Sequence, residues 1–430
     1  MTSRMTALQD RSRKAVWHPC TQMARLDAVP PLPIARGDGP WLFDTDGHRY
    51  FDANSSWWVN LFGHSDKALH GAIKQQLDTL PHVMLAGCTH EPAVRLAERL
   101  SARTGGALGH VFFGSDGASA VEIALKQSFH SFKNRGRPEK REFVCLKNSY
   151  HGETLGALSV TDVQVFRDAY DPLLMRAHIV ASPDGRLGDE AEALDAMRAL
   201  LAERHEHIAA VIVEPLIQGA AGMVMYSPSY LKGLRELTRE FDVHLIADEI
   251  AVGCGRTGTF FAWQQTDTDW PDFILLSKGI TGGTMPLSLV LTTDDVFAAF
   301  WSEDVTRGFL HSHSYTGNPL ACAAANAVLD RFDAGQLDDN RAQAQALTRA
   351  FSPLASRVTH LRQRGMILAF DVPGAPPRFA ETFHLKARAH ELLIRPIGST
   401  VYLMPPYLID DTTAAFLADA VTKTLNDVLA

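Results

Sequence analysis

Short apolar runs alternate with stretches of helical periodicity through the middle of the chain, and few architectures accept that pattern. GHVFFGS reads as a strand entering a glycine-containing turn. Behind it Val121, Leu125, Phe129 and Phe132 recur at helical spacing until NRGRP ends the helix. FVCLK, IAAVIVEP, VHLIADE, DFILLSK and LSLVLTT are further strand candidates, and SPSYLKGLRELTREF opens a helix with Ser227 as N-cap and Pro228 at its first position. Uniformly apolar strands must be covered on both faces, so the pattern predicts an α/β fold with a mostly parallel sheet flanked by helices. Ligands of such sheets gather beyond the carboxyl ends of the strands. WLFDTDGHRYFDANSS reads as a hairpin broken at its D-G turn. From about residue 330 the pattern becomes α+β. We expect a large domain over residues 61–330 and a smaller α+β domain over 331–430, joined by the N-terminal segment 1–60.

The 430 residues suffice for two or more domains, and a formal net charge of -8 gives no general affinity for nucleic acid or an anionic membrane. No apolar run reaches the roughly 18 residues of a membrane span. The opening MTSRMTALQDRSRK lacks the apolar core of a secretory signal and reads as a frayed polar arm. Cys20, Cys88, Cys145, Cys254 and Cys322 contain no C-x-x-C pair and fit free thiols in a reducing cytoplasm. No H-E-x-x-H appears among the histidines, and no metal site is expected.

The residues with chemical promise stand at strand ends. Asp248 and Glu249 close the run VHLIADE, where a buried charge costs several kcal/mol without a partner. A helix cap or an ion pair would supply one; so would a protonated pyridine nitrogen. Lys278 follows FILLS and precedes a glycine-rich turn, where desolvation lowers an amine's pKa and makes it a nucleophile toward aldehydes. A lysine snorkelling out of a strand end fits the same pattern. Gly114-Ser115-Asp116-Gly117-Ala118-Ser119 lies between strand and helix, where open backbone N–H groups suit an anion. Tyr150-His151 adds an aromatic face.

DEIAVGCGRTG, SKGITGG, YHGET and TGNPLACAAA together resemble the class-III aminotransferases of pyridoxal-phosphate fold type I, from about residue 17 to the C-terminus. WHPCTQM, SSWWVNLFGH, GCTHEP and LIRPIGSTVYLMPPY look like the branch that aminates 8-amino-7-oxononanoate to 7,8-diaminononanoate in biotin synthesis, with S-adenosylmethionine as amino donor. Lysine as donor, or another ω-amino acid substrate, belongs to the same class.

The resemblance implies a pyridoxal 5'-phosphate cofactor held covalently by Lys278, with Asp248 at its ring nitrogen and Tyr150 stacked on the ring facing substrate. It places the phosphate on the backbone of Gly117 and Ala118, and on Ser314 of a second copy, hence a cytoplasmic homodimer with shared sites. Trp57 and Trp58 match a pair that walls the substrate pocket, Ser312 and His313 fall beside it, and Arg395 matches an arginine that receives the substrate carboxylate. Four positions depart from the family pattern. Cys20 replaces a donor-site tyrosine, Ser312-His313 replaces glycine-proline, and Ala118 lacks a phosphate-loop hydroxyl.

Overall fold

The structure, a computed structural model, describes residues 4–430. They form two compact units: the residues up to Lys67 with Asp339–Ala430, and Ala68–Asp338.

The larger unit is built on a mixed sheet of β1 (His110–Gly114), β2 (Glu142–Leu146), β3 (His178–Val180), β4 (Ile208–Val213), β5 (His244–Asp248), β6 (Phe273–Leu276) and β7 (Ser288–Thr292). Their order across the sheet is β1-β7-β6-β5-β4-β2-β3. The pairs from β6 through β3 are parallel, whereas β7 runs antiparallel to both β6 and β1. Every strand expected from the sequence is present. β3 was not foreseen because its three residues are too few to show a period.

Helix α1 (Gly117–Asn134) lays Val121, Leu125 and Phe132 against Ile212, Ile246, Phe273 and Leu275, all of them buried. Each such side chain contributes about 1.5–3 kcal/mol by leaving water. Helix α2 (Pro228–Glu240) starts as the sequence indicates, with Ser227 Oγ accepting from the Ser229 amide at 3.0 Å.

The register has a consequence for chemistry. Ala247 pairs with Val213 and Asp248 with Leu275, so β4, β5 and β6 end at one level. Whatever residues terminate those strands share one edge of the sheet.

In the smaller unit Trp41–Asp44 and Arg49–Asp52 form the expected hairpin, with Gly47 at φ +96 in its turn. Leu392–Leu393 pairs in parallel with Arg49–Asp52, which ties the C-terminal segment to the N-terminal one. Thr359–Arg364, Ile367–Asp371 and Thr400–Leu403 form a separate antiparallel sheet. The frayed arm expected at the start is corrected by a helix over Arg4–Ala15, while residues 1–3 lie outside the described part. Gln9 donates to the Pro31 carbonyl at 2.9 Å, and Arg13 pairs with Asp10 and Asp27. The contacts to Pro31 and Asp27 lie outside the helix and leave no local sequence signal. Among the described residues no helix is long and apolar enough to cross a membrane, and no cluster of metal-ligating side chains occurs.

His244 on β5 stacks on Phe132 with ring centroids 4.2 Å apart, and its Nδ1 lies 2.9 Å from Ser128 Oγ. Burial pulls its pKa from the ordinary 6.5 down to about 4. The folded state therefore resists a proton that the unfolded chain accepts. This contribution to stability is complete above pH 6.5 and is lost as pH falls toward 4. Thermal unfolding should show a midpoint that drops across that window. His244→Leu should flatten part of the drop while costing about 1 kcal/mol at neutral pH for the lost Ser128 bond.

Candidate active site

The common edge of β4, β5 and β6 carries Glu214, Asp248 and Lys278. Asp248 is 4% exposed and Glu214 5%. Burying such charges costs several kcal/mol each unless hydrogen bonds and opposite charges offset it, and here both do. Asp248 Oδ2 accepts from His151 Nδ1 at 2.7 Å, and its Oδ1 from the Ile250 amide at 3.1 Å. Glu214 accepts from the amides of Tyr150 at 3.0 Å and Gly219 at 2.9 Å. Burial nevertheless pushes the Glu214 carboxyl up to about 7; His151 and the two amides oppose the rise and Asp248 adds to it.

Burial pulls the Lys278 ammonium down to about 8, against the attraction of Asp248 and Glu214. Lys278 has φ +47, a left-handed conformation costing on the order of 1–3 kcal/mol in a residue with a side chain. An amine that sheds its proton near pH 8 is available as a nucleophile near neutrality. Glu249 differs from its neighbour. Its carboxylate accepts from the amides of Ala262 and Trp263, each at 2.7 Å, and burial raises its pKa to about 8. It organises the following turn.

The β1–α1 turn lies against this edge. A Cβ on Gly117 would fall 3.1 Å from Ile250 Cγ2, and one on Gly152 only 2.7 Å from Ala118 Cβ. The glycines let the turn, the Tyr150–Gly152 segment and the end of β5 close on one another. Asp116 caps α1 by accepting from the Ser119 amide at 2.9 Å. The amides of Gly117 and Ala118, in the first helical turn, have no acceptor inside the helix and carry the positive end of its dipole. Tyr150 packs against Phe166 with centroids 5.5 Å apart, and its hydroxyl donates to Glu153 at 2.8 Å. His313 is half-buried and meets Ser115 Oγ through Nδ1 at 3.0 Å, whereas Ser312 and Ser314 on either side of it are exposed.

These residues suit pyridoxal phosphate. A buried acid is held at one strand end, an amine of lowered pKa stands at the next, and an open helix N-terminus faces the same edge. His151 Nε2 is itself buried with no hydrogen-bond partner among the described residues. Sequence reasoning read His151 only as part of an aromatic face with Tyr150, and assigned no role to Glu214. Glu214 carried the same signal as Asp248, an acid at the end of an apolar run.

Trp57, Trp58 and Arg395 come together in the smaller unit. Trp57 is 50% exposed, and the Arg395 guanidinium lies over its ring at 5.5 Å. Trp58 is buried and donates from its indole to Tyr402 Oη at 3.0 Å. Ser55, Ser56, Trp57 and Trp58 all have positive φ, a left-handed turn without glycine. That conformation costs roughly 1–2 kcal/mol per residue. Asp52 accepts from the Ser56 amide at 2.9 Å and from its hydroxyl at 2.6 Å, and Ser55 Oγ donates to the Met404 carbonyl at 2.7 Å. Cys20 is exposed and also left-handed, at φ +46.

The profile of the family described as aminotransferase class-III matches residues 22–425. An adenosylmethionine-8-amino-7-oxononanoate aminotransferase from Helicobacter pylori is 43% identical over 406 residues, 92% of each chain. The crystal structure of the protein of that name from Methanocaldococcus jannaschii superposes with a TM-score of 0.93 at 34% identity, over 98% of this chain and 99% of the other. An omega transaminase from Pseudomonas jessenii, solved in complex with PMP, gives a TM-score of 0.92 at 25% identity over 98% of both chains.

Because His151 Nδ1 fixes the position of Asp248 at 2.7 Å, His151→Ala should weaken pyridoxal phosphate binding to the apoprotein roughly 10- to 100-fold, as expected for one hydrogen bond to a buried charge. His151→Asn, which can place an amide donor near Nδ1, should recover part of it. Equal affinity in both variants, measured by fluorescence titration, would deny the pair that task.

Proposed function

The chain belongs to the class-III aminotransferases, and on that premise we propose that it converts 8-amino-7-oxononanoate to 7,8-diaminononanoate in biotin synthesis, with S-adenosylmethionine as amino donor. The observation that carries this reading is full-length identity of 34–43% to relatives of that name, joined to a strand edge bearing Lys278, Asp248 and Glu214. The omega transaminase solved with PMP supports the cofactor. Pyridoxal phosphate, when bound, supplies an electron sink that lets a C–H bond beside nitrogen break.

The protein's own residues supply the rest. Lys278, its pKa lowered to about 8, is the amine that holds the cofactor covalently and later carries the proton between carbons. Asp248, oriented by His151, keeps the ring nitrogen protonated by its charge. Gly117 and Ala118 offer amides to the phosphate, and Tyr150 offers a ring face. Ser314 is exposed on its loop, which suits a hydroxyl given to the phosphate of a second copy, and so a homodimer with shared sites. Arg395 receives the acceptor's carboxylate in a bidentate pairing that lysine would not reproduce. Of the two tryptophans, Trp57 presents ring surface to substrate, with Ser312 assigned to the substrate side of the loop, whereas His313 is turned to Ser115. Five free cysteines suit a reducing cytoplasm.

Purified enzyme given 8-amino-7-oxononanoate should form 7,8-diaminononanoate with S-adenosylmethionine and not with lysine; the reverse result overturns the donor. Lys278→Ala should abolish turnover and the borohydride-reducible link to the protein. Arg395→Ala should raise KM for the acceptor roughly tenfold or more, the loss of a charge-assisted pair, with a smaller change for the donor. Equal small changes would make Arg395 a surface arginine.

A further inference from the structure

A row of polar side chains leads from the surface of α1 to the β1–α1 turn. Lys126 Nζ lies 2.9 Å from His311 Nδ1, His311 Nε2 lies 3.3 Å from His313 Nε2, and His313 Nδ1 lies 3.0 Å from Ser115 Oγ. Ser115 Oγ has no other hydrogen-bond partner among the described residues. The loop end of the row is fixed: the His313 amide donates to Thr316 Oγ1 at 2.9 Å, and that hydroxyl donates to the His313 carbonyl at 2.8 Å. His311 is stacked with Phe309, their rings inclined by 15°. Both histidines belong to one short segment, His311-Ser312-His313.

Chemistry gives the row a direction. A lysine ammonium has donors and no acceptor, so His311 Nδ1 must accept. A neutral imidazole has one donor, so the His311 proton sits on Nε2 and is donated to His313 Nε2. The His313 proton then sits on Nδ1 and is donated to Ser115 Oγ. The Ser115 hydroxyl, with its oxygen occupied as an acceptor, is turned outward as a donor. Burial, Lys126 and His313 all lower the pKa of His311, with Glu122 opposing, which favours the neutral ring this order requires.

We propose that Lys126, His311 and His313 form a one-way hydrogen-bond row that presents the Ser115 hydroxyl as a donor to the cofactor phosphate, making His313 a positioning residue of that site. The proposal rests on the reading of the Gly114–Ala118 turn as the phosphate turn. Ala118 carries no hydroxyl, and Ser115 supplies one from the same turn. Asp116, the acid of that turn, is directed to the Ser119 amide and leaves the anion site to the donors.

The experiment titrates apoprotein with pyridoxal 5'-phosphate and, separately, with pyridoxal, which has the ring and aldehyde but no phosphate. Tryptophan fluorescence reports binding without turnover. Ser115→Ala and His313→Ala should each weaken pyridoxal phosphate roughly tenfold, as for one charge-assisted hydrogen bond, and leave pyridoxal unchanged. The double variant should be no weaker than either single one, because both remove the same donor. His313→Asn, with an amide donor near the Nδ1 position, should recover most of the phosphate preference. Loss of both ligands in parallel, or an unchanged preference in Ser115→Ala, overturns the row. If the wild-type apoprotein binds neither ligand, the cofactor reading fails and takes the proposal with it.

Discussion

Buried charge at the carboxyl edge of a parallel sheet is the constraint around which the larger unit is arranged. Glu214, Asp248 and Lys278 end adjacent strands, and burial acts on Glu214 and Lys278 in the direction that removes charge. The surrounding segments are shaped to resist that. His151 and the Ile250 amide hold Asp248, and the amides of Tyr150 and Gly219 hold Glu214. The Tyr150–Gly152 segment must pass close enough for its histidine and amide to reach both acids. Gly152, at φ +121 and without a Cβ, permits that approach beside Ala118.

Two of the left-handed segments without glycine fall at residues proposed to have chemical tasks. Lys278 takes a left-handed backbone at the end of β6, and Ser55–Trp58 forms a left-handed turn in the smaller unit. Neither contains glycine, so neither is favoured locally, and each persists because its surroundings over-determine it. For the turn those surroundings are the nearby Asp52 together with Tyr402 and the Met404 carbonyl, which come from a distant part of the chain. The turn separates two adjacent tryptophans by role: Trp58 goes into the core, and Trp57 lies half exposed beneath Arg395.

Much of this was legible in the sequence. Uniformly apolar strands announce a sheet covered on both faces, and Ser227-Pro228 announces a helix start, because both signals are carried by neighbouring residues. Asp248 and Lys278 were legible for the same reason, being polar residues placed against the trend of the strand they end. β3 was hidden by its brevity, and the helix at Arg4–Ala15 by the polarity of a segment held through ion pairs and a contact to Pro31. His151 stood beside a residue already singled out, yet nothing near it in the chain marked it as the partner of Asp248.

The sequence by itself determined the α/β class, the strand-end positions of the acid and the amine, and the family, since periodicity and short motifs are local properties that one chain displays directly. Only the tertiary structure decided which groups satisfy the buried charges. His151 reaches Asp248 across 97 residues, Lys126 reaches His311 across 185, and Ser115 reaches His313 across 198. A hydrogen bond depends on distance and angle between atoms, and no period in the sequence encodes those over such separations. They follow once the sheet fixes strand order and register, and with them the places where the connecting loops return.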